Sequence, residues 1–166
     1  MSKQGKKKNP RAFEQKKRLP AGKGADRVLF YIWQFTWGLP VNIFGLIGYL
    51  VLYKKFRHER FCNAFITYVP GNWGGVSIGV FIFIAEGRDD EWTRNTRIHE
   101  YGHTIQCLLL GVFYWLVIGI PSFIWCNFPP IVSYRKKNNV SYYTFYPEKW
   151  ANLWGSRWSG EKMTRK

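Results

Sequence analysis

The sequence predicts an α+β fold: a small membrane-embedded domain with a β-hairpin, a motif-bearing helix, and two apolar helical segments that are kinked or re-entrant. Three observations carry this. Two uncharged runs, 28–53 and 112–128, are each interrupted by a proline. Between them, two stretches rich in β-branched and aromatic residues flank a Pro-Gly turn. A polar segment then opens a helix that becomes apolar at Cys107-Leu108-Leu109-Leu110. At 166 residues the chain fits one domain.

Residues 1–27 are rich in Lys, Gln and Gly and have little to bury, which predicts a mobile basic arm. The domain proper is 28–155, and 156–166 is a basic tail. The run 28–53 is long enough to span a bilayer as a helix, but Gly38-Leu39-Pro40 should break it. Phe61–Val69 and Val76–Ala85 read as the two strands of a hairpin around Pro70–Gly75. The motif helix is expected from about Thr93 to Gly111, with acidic residues just ahead of it where the helix dipole favours them. The second apolar run should break at Gly119-Ile120-Pro121-Ser122, and 129–146 reads as loop or irregular strand. Pro147 suits the first turn of a last helix, which Gly155 should end.

The formal charge is +15, from 25 basic and 10 acidic residues. The basic clusters, such as Lys54-Lys55-Phe56-Arg57 and Arg135-Lys136-Lys137, border the apolar runs. That placement points to an anionic lipid surface, with basic termini on the cytoplasmic side. No nucleic-acid module is present, so nucleic acid is not expected as a partner. Three cysteines without CxxC spacing read as buried thiols.

His99-Glu100-Tyr101-Gly102-His103 is a His-Glu-x-x-His motif. Residues four apart share a helix face, so both imidazoles can reach one metal ion, with Glu100 beside it as a general base. A solvated helix face or a satisfied core pair is the plain alternative. It fits poorly, because the helix turns apolar at once, and buried titratable groups need compensation. Catalytic zinc takes three protein ligands. After His103 there is no His or Asp, only Glu148 and Glu161. Glu161 lies in the basic tail, and Glu86, Asp89 and Asp90 crowd the loop before the motif. Glu148 is therefore the favoured third ligand; its alternative role is to complement a helix dipole. Gly102, inside a helix, suggests close approach of another backbone or side chain. Tyr142, Tyr143 and Tyr146 are candidates to steady an oxyanion, or else packing residues.

These motifs, His99–His103 and Glu148-Lys149-Trp150-Ala151-Asn152, resemble the zincin superfamily. Their nearest likeness is to glutamate-zincins, including membrane zinc peptidases of the CAAX-processing and heat-shock type. The resemblance implies a zincin-like domain that binds zinc through His99, His103 and Glu148. It places Asn152 where an aspartate often supports a ligand histidine. It also implies an edge strand that binds substrate backbone, here Val76, Ser77, Ile78, Gly79, Val80 and Phe81. The implied activity is zinc-dependent hydrolysis of a peptide bond in a membrane-linked protein or peptide.

If both apolar runs simply spanned, His103 and Glu148 would lie on opposite sides of the membrane. Half of a 26-residue run covers only about 20 Å as helix, so each run can dip in and return. A kinked span at 28–53 with only the second run returning also satisfies the constraint. Two other functions fit the sequence: a noncatalytic assembly or scaffold protein with a structural zinc and a membrane-protein partner, and a metal-free cationic membrane module.

Overall fold

The computed structural model describes residues 25–164. The predicted basic arm lies outside them except for its last three residues, which open the first helix. Among the described residues are six α-helices and one four-stranded mixed sheet. The helices are α1 (Ala25–Gln34), α2 (Leu39–Leu52), α3 (Asp90–Leu110), α4 (Ile120–Asn127), α5 (Pro129–Lys137) and α6 (Tyr146–Ser159).

The strands are β1 (His58–Phe61), β2 (Ala64–Pro70), β3 (Gly75–Ile78) and β4 (Phe81–Glu86), in the order β1-β2-β4-β3. This corrects the single hairpin. The two long apolar stretches do pair, as β2 and β4, but in parallel. Each instead forms a hairpin with a short neighbour, β1 with β2 and β3 with β4. Two-residue turns make this possible, with positive φ at Cys62 and at Gly79. Within the predicted substrate strand, Val76, Ser77 and Ile78 therefore lie on the edge strand β3. Gly79 and Val80 form the turn, and Phe81 opens the inner strand β4.

β4 is buried on both faces, as its continuous apolar run requires. Phe65 and Phe81 stack on the face covered by α2, against Tyr49. Gly45 of α2 lets that helix cross directly over the Ile78 carbonyl, where a Cβ would sit 2.2 Å away. The opposite face meets α3, where Tyr101 packs on Phe61.

α1 and α2 bend by 97° around residues 35–38, near the expected break, with Pro40 in the first turn of α2. Asn42 holds the bend. Its amide nitrogen donates to the Gln34 and Gly38 carbonyls, and its oxygen accepts the Val80 N–H. The second apolar run bends by 120°, but not at Pro121. The bend lies at Gly111–Tyr114, where Gly111 has φ +53° and ends α3. Pro121 follows a π-helical turn, Trp115–Gly119, that runs straight into α4, and the Val117 carbonyl four residues before it takes the Tyr146 hydroxyl instead of a backbone N–H. No single helix among the described residues is long and apolar enough to cross a membrane.

Three further expectations change. α3 starts at Asp90, capped by Asp89, which accepts the Trp92 N–H at 2.7 Å. The stretch 129–146 contains helix α5 and a short 3₁₀ turn at 142–144, not strands. α6 runs through Gly155 to Ser159 and is ended by Gly160 in the left-handed region. The chain after it is docked onto α3: the Thr164 N–H donates to Asn95 Oδ1 at 2.9 Å, and Met163 packs on the core.

Candidate metal centre

The site begins with two glycines. A Cβ on Gly102 would lie 1.9 Å from the Ala151 carbonyl oxygen, and one on Gly155 would lie 1.9 Å from that of Ile98. α3 and α6 therefore cross backbone to backbone. This accounts for Gly102 in the motif and for Gly155 inside a helix it was expected to end. Ala151 lies three residues after Glu148, so the crossing sets the Glu148 carboxylate against the histidine face of α3.

His99 Nε2 lies 3.0 Å from Glu148 Oε2, and His103 Nε2 lies 3.6 Å from the same oxygen. All three side chains are buried. Each ligand has a partner behind it. His99 Nδ1 is 2.6 Å from Asn152 Oδ1, and His103 Nδ1 is 2.6 Å from Gln106 Oε1. The Gln106 amide nitrogen donates to the Pro147 carbonyl at 2.8 Å, which fixes which end of the amide faces His103. Both imidazoles then carry their proton on Nδ1 and turn a lone pair on Nε2 inward. Ser122 Oγ donates to Glu148 Oε1 in a very short hydrogen bond. Glu148 Oε2 is buried with no hydrogen-bond partner.

Three electron-pair donors thus converge with nothing between them. Ligand atoms about 2.1 Å from a tetrahedral ion sit about 3.4 Å apart, which the two measured separations bracket. A buried His-His-Glu group of this form can bind a metal ion, and its donor set suits zinc. Among the described residues, no other group of His, Cys, Asp or Glu converges in this way. Glu86 is exposed at the end of β4, Asp89 caps α3, and Asp90 sits in its first turn.

Glu100 is buried beside this group, its Oε1 only 2.7 Å from where a Gly75 Cβ would stand. Gly75 therefore leaves the room the carboxylate occupies. Burial pushes Glu100 up to about 7; the His99 ring pulls it down, and the Glu148 charge pushes it further up. Burial also opposes ionisation of Glu148, but hydrogen bonds and charge from the facing histidines, when these are protonated on both ring nitrogens, outweigh it and hold that carboxyl well below the usual range.

A cleft of about 260 Å³ opens on His99 and Glu100, lined also by Gly74, Gly75, Cys126 and Tyr143. Tyr143 sets its ring edge on His99 at 5.4 Å. Tyr142 also lines the cleft, near Ser122 and Glu148. Tyr146 is directed elsewhere: its hydroxyl donates to the Val117 carbonyl at 2.5 Å. Cys126 is exposed, not buried as expected, and only Cys107 is fully buried. Gln106 and Ser122 were not singled out in the sequence. Gln106 was within reach, since it follows His103 by three on one helix face. Ser122 was not, because its place depends on the bend at Gly111.

β3 is the free edge of the sheet beside this cleft. The Ala85 N–H donates to the Gly74 carbonyl at 3.0 Å. By the alternation of an antiparallel ladder, Gly75 and Ser77 then turn their N–H and C=O groups away from β4; Ser77 is buried there, its carbonyl accepting the Tyr114 hydroxyl at 3.5 Å, so the open part of this edge lies at Gly75. In comparisons with known proteins, no family model, no curated protein and no solved structure matches the chain.

Proposed function

We propose that this chain is a membrane-associated zinc metallopeptidase of glutamate-zincin type, hydrolysing peptide bonds of a membrane-linked protein or peptide. The observation that carries the reading is the unsatisfied Glu148 Oε2 facing two inward Nε2 lone pairs, with Glu100 alongside in an open cleft. His99, His103 and Glu148 would hold the zinc. When bound, zinc supplies a Lewis acid that lowers the pKa of a water and polarises a carbonyl.

Glu100 supplies the base. A carboxylate near neutral pKa can take a proton from the attacking water on Oε1 or Oε2 and give it to the leaving nitrogen. Gly75 offers outward backbone groups that would align an extended substrate by β-pairing. Tyr143 and Tyr142, which line the cleft, would donate to the oxyanion. Asn152, Gln106 and Ser122 hold the three ligands in orientation.

The test compares Glu100→Gln with His103→Ala in membranes from cells lacking the wild-type chain. Readouts are zinc content of the purified protein and new N-termini among membrane proteins. Glu100→Gln should keep zinc and lose the new N-termini; His103→Ala should lose both. If Glu100→Gln retains both zinc and full cellular function while His103→Ala loses them, the zinc is structural and the chain serves as a scaffold.

A further inference from the structure

The two helix bends meet. Trp37, in the first, donates its indole N–H to the Leu109 carbonyl at 3.3 Å. Its ring lies against Gly111, where a Cβ would come within 2.4 Å, and sits 6.0 Å from Phe113. Trp33 donates to the Leu108 carbonyl at 2.9 Å. The bends therefore form one apolar tip. Large side chains around it stand in the open, with Phe44 at 62 %, Leu116 at 69 % and Phe123 at 68 % exposure. A patch of this kind marks a partner surface.

We propose that this tip is a docking face for an anionic bilayer, entering one leaflet and leaving from the same side. Three observations select lipid over a protein partner or a second copy.

The first is how the bends satisfy their backbone. Leu108 and Leu109 are last-turn carbonyls of α3, which a helix end normally leaves to water. Here two indoles take them. Asn42 does the same for Gln34 and Gly38 at the other bend. Internal satisfaction of an irregular backbone is what hydrocarbon demands and water does not.

The second is charge. Residues 28–53 and 112–134 carry none. Where these arms return, the chain is cationic: Lys54, Lys55 and Arg57 after α2, and Arg135, Lys136 and Lys137 at the end of α5. A neutral tip rimmed by cations matches acyl chains beneath anionic headgroups.

The third is length. α1 and α2 have 10 and 14 residues, about 15 and 21 Å, short of a hydrocarbon core of about 30 Å. Both pack back on the body, α1 against α3 and α2 against β3 and β4. Gly111 follows His103 by eight residues, so the candidate metal site lies about 12 Å along α3 from the tip, near headgroup depth. The docking face stands whether or not that site is catalytic.

The experiment adds the full chain, purified in mild detergent, to preformed phosphatidylcholine vesicles with and without phosphatidylglycerol, and removes the detergent. Flotation reads binding. Lys55→Cys and Lys137→Cys variants, treated with a membrane-impermeant maleimide, read topology, with the labelled sites located by mass spectrometry. We expect flotation that is stronger with phosphatidylglycerol, and full labelling of both positions from outside. Phe44→Ser with Leu116→Ser, both exposed, should leave the melting temperature unchanged and weaken binding roughly tenfold or more. Chelator-treated protein should still float with the vesicles, which separates this result from any failure of the metallopeptidase reading. Protection of either cysteine would mean a span and overturn the proposal. So would absence of flotation, or a detergent-stable dimer that the same two serines dissociate while vesicle binding is unaffected.

Discussion

Gly102→Ala adds a single methyl group at the point where α3 and α6 touch. Ordinary contact needs at least 3.4 Å, and the new Cβ would find the Ala151 oxygen at 1.9 Å, so the helices must part by about 1.5 Å. The opposing atoms are all backbone, the Ala151 O, C and Cα, so no rotamer relieves the clash. Glu148, one turn back on α6, moves with its helix. Its 3.0 Å separation from His99 Nε2 then opens toward about 4.5 Å, far beyond the roughly 0.2 Å that a metal site tolerates. Zinc affinity should fall at least about 100-fold. Stability has two opposed contributions. Alanine gains about 1 kcal/mol in helix propensity, while overpacking against backbone costs about 3 kcal/mol. A net loss of about 2 kcal/mol should lower the melting temperature by about 4–8 °C. The assay is thermal melting of zinc-free protein, beside zinc affinity measured by chelator competition. A variant that melts higher than wild type and keeps its zinc affinity would refute the backbone crossing as the feature that sets the site.

Gln106→Ala should weaken zinc binding about 10–100-fold in the same competition assay, because His103 loses its orienting acceptor and the Pro147 carbonyl its donor. Ser122→Ala should act similarly through Glu148 Oε1, with little change in zinc-free melting. Chelation of wild type should lower its melting temperature, since zinc at about 100 times its dissociation constant adds about 2.7 kcal/mol. Burial raises the Glu100 carboxyl from 4.5 to about 7, so the folded chain prefers its protonated form. That contribution is whole below about pH 4.5 and is lost as pH rises through about 7. Zinc-free Glu100→Gln cannot ionise and should gain on zinc-free wild type across this window, by up to about 3 kcal/mol at pH 8; equal melting at pH 5 and pH 8 would contradict it.

What the sequence made legible was local. His99 and His103 share a helix face by spacing, Asn152 follows Glu148 at the same interval, and few carboxylates compete for the third place. Strand direction was not local. The apolar runs around Ile66 and Ile82 have the same composition whether paired parallel or antiparallel, and the deciding turn at Cys62 uses a residue that seldom marks positive φ. Glycine misled in one place for a physical reason. Gly155 resembles a helix stop but serves close contact, which no window around it reveals. Pro121 looked like the breaker of the second run, yet a π-helical turn ahead of it and the Tyr146 hydroxyl on the Val117 carbonyl let the helix continue through it, and the bend fell on Gly111. Ser122 came to Glu148 only because of that bend.

The short bond between Ser122 and Glu148 would join two distant-looking equilibria, the proposed lipid docking and the proposed metal binding. α4 turns Phe123 and Ile124 outward and offers Ser122 inward to the carboxylate that faces both histidines. Any force that moves this helix, a lipid leaflet included, moves the hydrogen bond on which the ligand oxygen's aim depends. Linkage is reciprocal: if lipid tightens metal binding by some factor, metal must tighten lipid binding by the same factor. A chain built this way would hold its ion most firmly where its outer helix is covered, and release it most readily when that cover is lost.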